Sequence, residues 1–170
     1  MPLDLSAPPV AGIALRTVEA RDNAFLRALY FGVREAELAN TNWDESTKRA
    51  FADSQFDLQD RWYRSQYEGV KLLVIEDAGE PIGRLYLHEF PGELRLMEIT
   101  LLSARRNAGL GTALIEWLQS LAAGEGRAVT LYVEGFNPAR ALYARLGFVE
   151  EATEGIYVRC RWTPGAARSG

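Results

Sequence analysis

The chain has 170 residues, enough for one domain whose core needs no disulfide or metal staple. Its apolar fraction of 48% and charged fraction of 25% are those of an ordinary globular protein, and a net charge of −4 speaks against a general nucleic-acid binder. The one cysteine, Cys160, cannot bridge internally, no Cys/His cluster points to a metal, and no apolar run approaches the roughly 18 residues of a membrane span.

The N-terminus lacks the charged start and apolar run of a signal peptide, so a cytoplasmic protein is expected, with no nucleic-acid or membrane partner. Both ends, 1–9 and 164–170, are rich in small, polar and proline residues without periodicity and read as flexible tails around a single domain spanning 10–163.

"GIALRTV" reads as the first strand. From Asp22 the pattern turns helical, with Phe25, Leu26, Leu29, Tyr30 and Val33 on one face. "TNWDESTKRAFADSQFDLQDRWYRSQY" is a second helical region, either continuous or broken into two. Then come "KLLVIED", "PIGRLYLHEF" and "LRLMEITLL", separated by the turn residues of "DAGEP" and "FPGE", which predicts an antiparallel meander. Leu114, Ile115, Leu118, Leu121 and Ala122 mark an amphipathic helix, "AVTLYV" a strand and "NPARALYARLG" a short helix with Asn137 as its N-cap. "GIYVRCRW" closes the pattern, with Ile156, Val158, Cys160 and Trp162 on one face. The order β-α-α-β-β-β-α-β-α-β predicts an α/β fold, a mixed and mostly antiparallel central sheet flanked by helices on both faces.

"ARRNAGLGTALIEWL" removes side chains just where a helix begins, and a helix start carries unpaired N–H groups and about half a positive charge, a natural phosphate site. A P-loop would need a lysine before the Ser/Thr, but Gly111 directly precedes Thr112. A dinucleotide fingerprint would need a third glycine where Leu114 stands. Arg106-Asn107-Ala108-Gly109-Leu110-Gly111 instead resembles the Arg/Gln-x-x-Gly-x-Gly/Ala pattern of the GNAT superfamily of acetyl-CoA-dependent N-acetyltransferases. "LYVEGFNPARALYARLGF" resembles the same family's next strand and helix, and the element order agrees over about Gly12 to Trp162. The chain departs from the family's frequent residues at Ser103, Asn107 and Ala108, none of which removes a backbone N–H.

The resemblance implies acetyl-CoA as cosubstrate, an amine as acceptor, no metal, and a homodimer. It implies cofactor contacts from Leu101, Ser103, Arg105, Arg106, Asn107, Ala108, Gly109, Leu110, Gly111 and Thr112, and from Asn137 and Arg140 in the second motif. Tyr143, six residues after Asn137, is the candidate acid for the departing thiolate, against a reading as a packed aromatic. Glu98, a charge within an apolar run, is the candidate base, directly or through a water, against a reading as a sheet-edge carboxylate. Glu134 is the reserve base, and His88 a weaker one beside Arg84 and Tyr86 on the polar face of its strand. The first two helices bring Arg34, Glu37, Trp43, Phe56, Trp62, Tyr63 and Tyr67 toward the acceptor side. The same fold with a longer acyl donor or another acceptor atom, or a non-catalytic acyl-CoA sensor, is the alternative.

Overall fold

The structure is a computed structural model that describes residues 2–165. Among them a 7-stranded sheet runs in the order β1-β2-β3-β4-β5-β7-β6. The strands are β1 (Ile13–Thr17), β2 (Lys71–Asp77), β3 (Glu80–Phe90), β4 (Glu93–Leu101), β5 (Ala128–Glu134), β6 (Val149–Glu154) and β7 (Tyr157–Trp162). The helices are α1 (Asn23–Leu38), α2 (Glu45–Gln66), α3 (Leu110–Gly124) and α4 (Ala139–Arg145). Every strand pairing is antiparallel except β4 with β5, which α3 connects as a crossover. No helix among the described residues is long and apolar enough to cross a membrane.

Alternation along the strands divides the core. Leu73, Ile75, Leu85, Leu87, Leu94, Leu96, Val129, Leu131, Val158, Cys160 and Trp162 point to the α3 face, where Leu114, Ile115, Leu118 and Ala122 meet them. Arg84 and Tyr86 point to the opposite face: the Arg84 guanidinium lies 5.8 Å from the Tyr30 ring of α1, and Tyr86 packs edge-on against Tyr63 of α2. A second cluster, Leu26, Tyr30, Phe31, Leu38, Ala52 and Phe56, joins α1 to α2. The start of α1 is tied to β1 by Arg16, whose two terminal nitrogens reach the buried Asp22 carboxylate at 2.8 and 2.7 Å. That pairing holds the Asp22 carboxyl down at about 2.

Two irregularities in the sheet matter for the site. Leu87 faces Leu96 but Tyr86 faces Glu98, so Met97 is an extra residue, a β-bulge in β4. Leu94 and Leu96 therefore face α3, as Ile99 and Leu101 do three and five residues beyond Leu96, while Glu98 is turned to the α2 face. Further along, β4 and β5 pair only from Glu93↔Ala128 to Leu96↔Leu131, and past that point the two strands run on to Leu101 and Glu134 unpaired with each other. At Gly83, opposite Leu101, a Cβ would lie 2.3 Å from the Thr100 carbonyl oxygen, so only glycine fits there.

The meander, the helices and the crossover follow the sequence pattern. The structure adds β6, which the sequence reading lacks. All six of its residues are exposed, so "VEEATE" shows no apolar alternation and is a strand only because it pairs with β7. Ile156 lies in the turn between them and is exposed, unlike Val158, Cys160 and Trp162. The 1–9 segment is not wholly a free tail. Leu3 is buried in the α3-side core with Leu5 and Val10 packed on it, and the Leu3 N–H donates to Glu89 at 3.2 Å. Residues 166–170 of the other expected tail, and Met1, lie outside the described residues.

Candidate active site

The β4–α3 loop begins as a short 3-10 turn, Ser103–Arg105, and reaches the helix through Asn107 and Gly109, both left-handed, with φ 61° and 83°. Asn107 is among the non-glycine residues that tolerate this conformation best. Among the described residues no backbone or side-chain acceptor takes the N–H groups of Asn107 to Thr112, and the first helical backbone bond here is Ala113 N–H to the Gly109 carbonyl at 2.9 Å. Six consecutive donors at a helix start form a nest for an anion.

Gly111 is informative because the protein itself does not need it: a Cβ there meets nothing within 4 Å and its φ is not in the left-handed region. Arg106 does not point into this nest; its Nε donates to the Leu101 carbonyl at 3.0 Å. That contact braces the loop and engages one backbone group of Leu101, a residue the resemblance offered to the cofactor. Arg105 pairs with Asp77, and the two line a groove of about 220 Å³ with Val10, Ala11, Ile13, Ala108, Gly109 and Leu110.

On the far side of the β4–β5 divergence, the Asn137 carboxamide oxygen accepts the Ala139 N–H at 2.9 Å, closing the turn into α4. Helical geometry itself starts one residue after Pro138, so Asn137 caps through an Asx turn just before it. Arg140 donates to both oxygens of Glu150 at 2.8 and 2.7 Å and to the Gly135 carbonyl. Tyr143 is packed edge-on to Phe148 at 5.7 Å. Burial, reinforced by the negative charge of Glu98, pushes its phenol up to about 12.

Glu98 is 25% exposed at its side chain and is well partnered. Its Oε1 accepts from Tyr63 Oη at 2.8 Å and from Gln59 Nε2 at 3.0 Å, both on α2. Its Oε2 lies 3.7 Å from Arg84 Nη2, and the same nitrogen donates to Gln59 Oε1 at 3.0 Å. Arg84 is 3% exposed, with its guanidinium 4.7 Å from the Tyr86 ring centre. At Glu98 the β5-side edge of β4 is open, since the two strands pair only as far as Leu96 and Leu131, and the Glu98 side chain takes its partners from α2.

The other named residues divide. Glu134, at the end of β5 where it pairs with β7 but no longer with β4, faces Arg34 at 3.8 Å, and Arg34 also pairs with Glu37 at 3.1 Å. His88 packs edge-on against Phe90 and tilted against Tyr67, and burial with the nearby Arg95 charge lowers its pKa. The face it shares with Arg84 and Tyr86 is covered by helices, not solvated. Phe56 is core, Trp43 packs on Phe51, and Trp62 is 56% exposed. Of the seven residues named on the first two helices and their connections, Tyr63 reaches Glu98 and Arg34 reaches Glu134. Gln59 was not singled out from sequence; its only trace there is its place one turn before Tyr63.

Residues 35–148 match the family profile described as "Acetyltransferase (GNAT) family". None of the curated proteins matches the sequence closely enough to serve as a named relative. Among solved structures, the chain is similar to the PaiA N-acetyltransferase of Thermoplasma acidophilum in complex with coenzyme A, at TM-score 0.66 and 16% identity over 89% of this chain and 98% of that one. It is similar to an acetyltransferase of Thermus thermophilus at TM-score 0.64 and 20% identity, covering 91% and 98% of the two chains. It is also similar to the spermidine N-acetyltransferase of Vibrio cholerae in complex with CoA and spermine, at TM-score 0.61 and 19% identity, covering 92% and 98%. At these identities the likeness is one of fold.

Proposed function

From membership of the acetyltransferase (GNAT) family, to which this chain belongs, we propose that it moves the acetyl group of acetyl-CoA to an amine. The observation that carries the reading is the divergence of β4 and β5 past Leu96 and Leu131, with six unpaired N–H groups at the loop that follows β4. Unpaired strand edges offer backbone donors and acceptors to an extended amide-bearing arm. The loop N–H groups suit its pyrophosphate. Glu98 and Tyr143 then flank the thioester from the α2 side and the α4 side.

The chemistry asks more of the base than of the acid. An alkyl ammonium with a pKa of about 10.4 must lose a proton near pH 7.4, roughly 4 kcal/mol, whereas the leaving thiolate has a conjugate acid near about 8.5. Glu98 is assigned to take that proton, directly or through a water, and Tyr143 to donate to the sulfur as charge develops on it. The spermidine enzyme among the structural neighbours gives a precedent for an amine acceptor on this fold; which amine this chain uses is a matter for an acceptor screen with thiol release as its readout.

The test uses two small probe amines. Methylamine is protonated at neutral pH and needs a base; methoxyamine is already neutral. Glu98→Gln should lower thiol release with methylamine by about a hundredfold, the lower end of general-base effects, and with methoxyamine far less. Equal losses with both probes would remove Glu98 as the base. No thiol release with any amine would favour an acyl-CoA sensor.

A further inference from the structure

The two oxygens of Glu98 are not equivalent. Oε1 already accepts two hydrogen bonds, from Tyr63 at 2.8 Å and Gln59 at 3.0 Å, which fills its in-plane lone pairs. Oε2 has Arg84 Nη2 at 3.7 Å, beyond hydrogen-bond length, and among the described residues no donor reaches it.

The orientation of Gln59 follows from the same network. Its Oε1 accepts from Arg84 at 3.0 Å, so its NH₂ must face Glu98. Turned the other way, the amide would set an NH₂ against a buried guanidinium and an oxygen against a carboxylate. Residues 59 and 63 are four apart on α2 and so share a helix face. The Met97 bulge is what brings Glu98 to that face.

We propose that Gln59 and Tyr63 are positioning residues that saturate Oε1 of Glu98 and leave Oε2 as the oxygen that takes a proton from the acceptor ammonium. An N–H bond breaks with its electron pair left on nitrogen, and an O–H bond forms at Oε2. The proposal rests on the reading of Glu98 as the base. The charged and titratable groups facing Glu98 are Tyr63 from α2, Arg84 and Tyr86 from β3, Tyr143 from α4 and Tyr157 from β7. Tyr63 differs from the others in donating directly to the carboxylate, so its removal changes the proton affinity there without removing a charge.

The experiment titrates protein carrying isotope-labelled glutamate, with the Glu98 carboxyl resonance assigned by its absence in Glu98→Gln. Tyr63→Phe keeps the ring and its packing on Tyr86, and Gln59→Met keeps the volume; thermal melts verify that both fold. A lost donor to the charged form moves its titration upward, so the Glu98 midpoint should rise in each variant. The acid limb of the pH–rate profile with acetyl-CoA and methylamine should move with it, kcat falling about tenfold and KM for acetyl-CoA holding. An unmoved midpoint and limb in folded Tyr63→Phe would overturn the proposal even if Gln59→Met fails to fold. If Glu98→Gln releases thiol with methylamine at the wild-type rate, the base reading falls and this proposal with it. If Glu98→Gln is impaired while both α2 variants titrate as wild type, the positioning proposal alone falls.

Discussion

Tyr143 shows how a single side chain's surroundings limit its chemistry. With its phenol pushed up to about 12, it stays protonated throughout the working range and is always available as a donor. Full proton transfer to a thiolate near about 8.5 is uphill by roughly 5 kcal/mol, so its larger contribution is a hydrogen bond to the sulfur as charge develops. Tyr143→Phe should therefore lower turnover by about ten- to a hundredfold, with acetyl-CoA affinity nearly unchanged, as measured by steady-state kinetics and calorimetry. No hydrogen bond to the Tyr143 hydroxyl forms among the described residues, so the variant's melting temperature should hold. A variant with full turnover would return Tyr143 to a packing role. At this scale the sequence was legible where chemistry and local context clash, as with a carboxylate in "LRLMEITLL". It was silent on Glu98's partners because Gln59 and Tyr63 stand 39 and 35 residues away, and the bulge that turns Glu98 toward them has no local mark.

At the scale of elements, α3 separates folding from binding. Gly111 sits in its first turn with open space around it. Gly111→Glu replaces a poor helix former and places a negative charge at the positive end of the helix, so the fold should gain about 1 kcal/mol in denaturant unfolding. The same charge would stand where a pyrophosphate belongs, and like-charge contact of that kind costs several kcal/mol. Acetyl-CoA affinity by calorimetry should drop by a hundredfold or more. A folded variant that binds normally would contradict the loop assignment. Helices were easy to read because apolar periodicity and caps agree at the same residues. β6 was not, because an exposed edge strand carries no periodic apolar face and is defined by its neighbour alone.

For the whole molecule, buried protonated groups make stability fall in alkali, Cys160 and Tyr143 among them. Burial, then the charge of Glu150, raises the Cys160 thiol from 9.0 to about 11, and burial first raises Tyr143 from 10.0 to about 12. The folded state holds both protons more tightly than the unfolded chain. Their contribution is therefore complete below pH 9, and is lost as pH rises from 9 to 11 for the thiol and from 10 to 12 for the phenol. Melting temperature should decline over that window. Cys160→Ala should start lower, because it opens a gap in the core, but decline less steeply between pH 9 and 11. Parallel slopes would mean that the thiol does not titrate with unfolding. The global architecture was readable because element order restricts connectivity so strongly. The docking of the N-terminal segment was not, since Leu3, Leu5 and Val10 follow no period and find their sites only on the finished sheet.

The close approach at Gly83 bears on how freely this sequence could change over time. Any other residue there would drive β3 and β4 apart at Thr100, on the strand end that borders the divergence. A population of variants selected only for a soluble fold would keep glycine at 83 and scatter at 111. One selected for cofactor use would be restricted at both. On the proposed function the two glycines are held differently, 83 by the chain's own backbone and 111 by the cofactor the loop would receive.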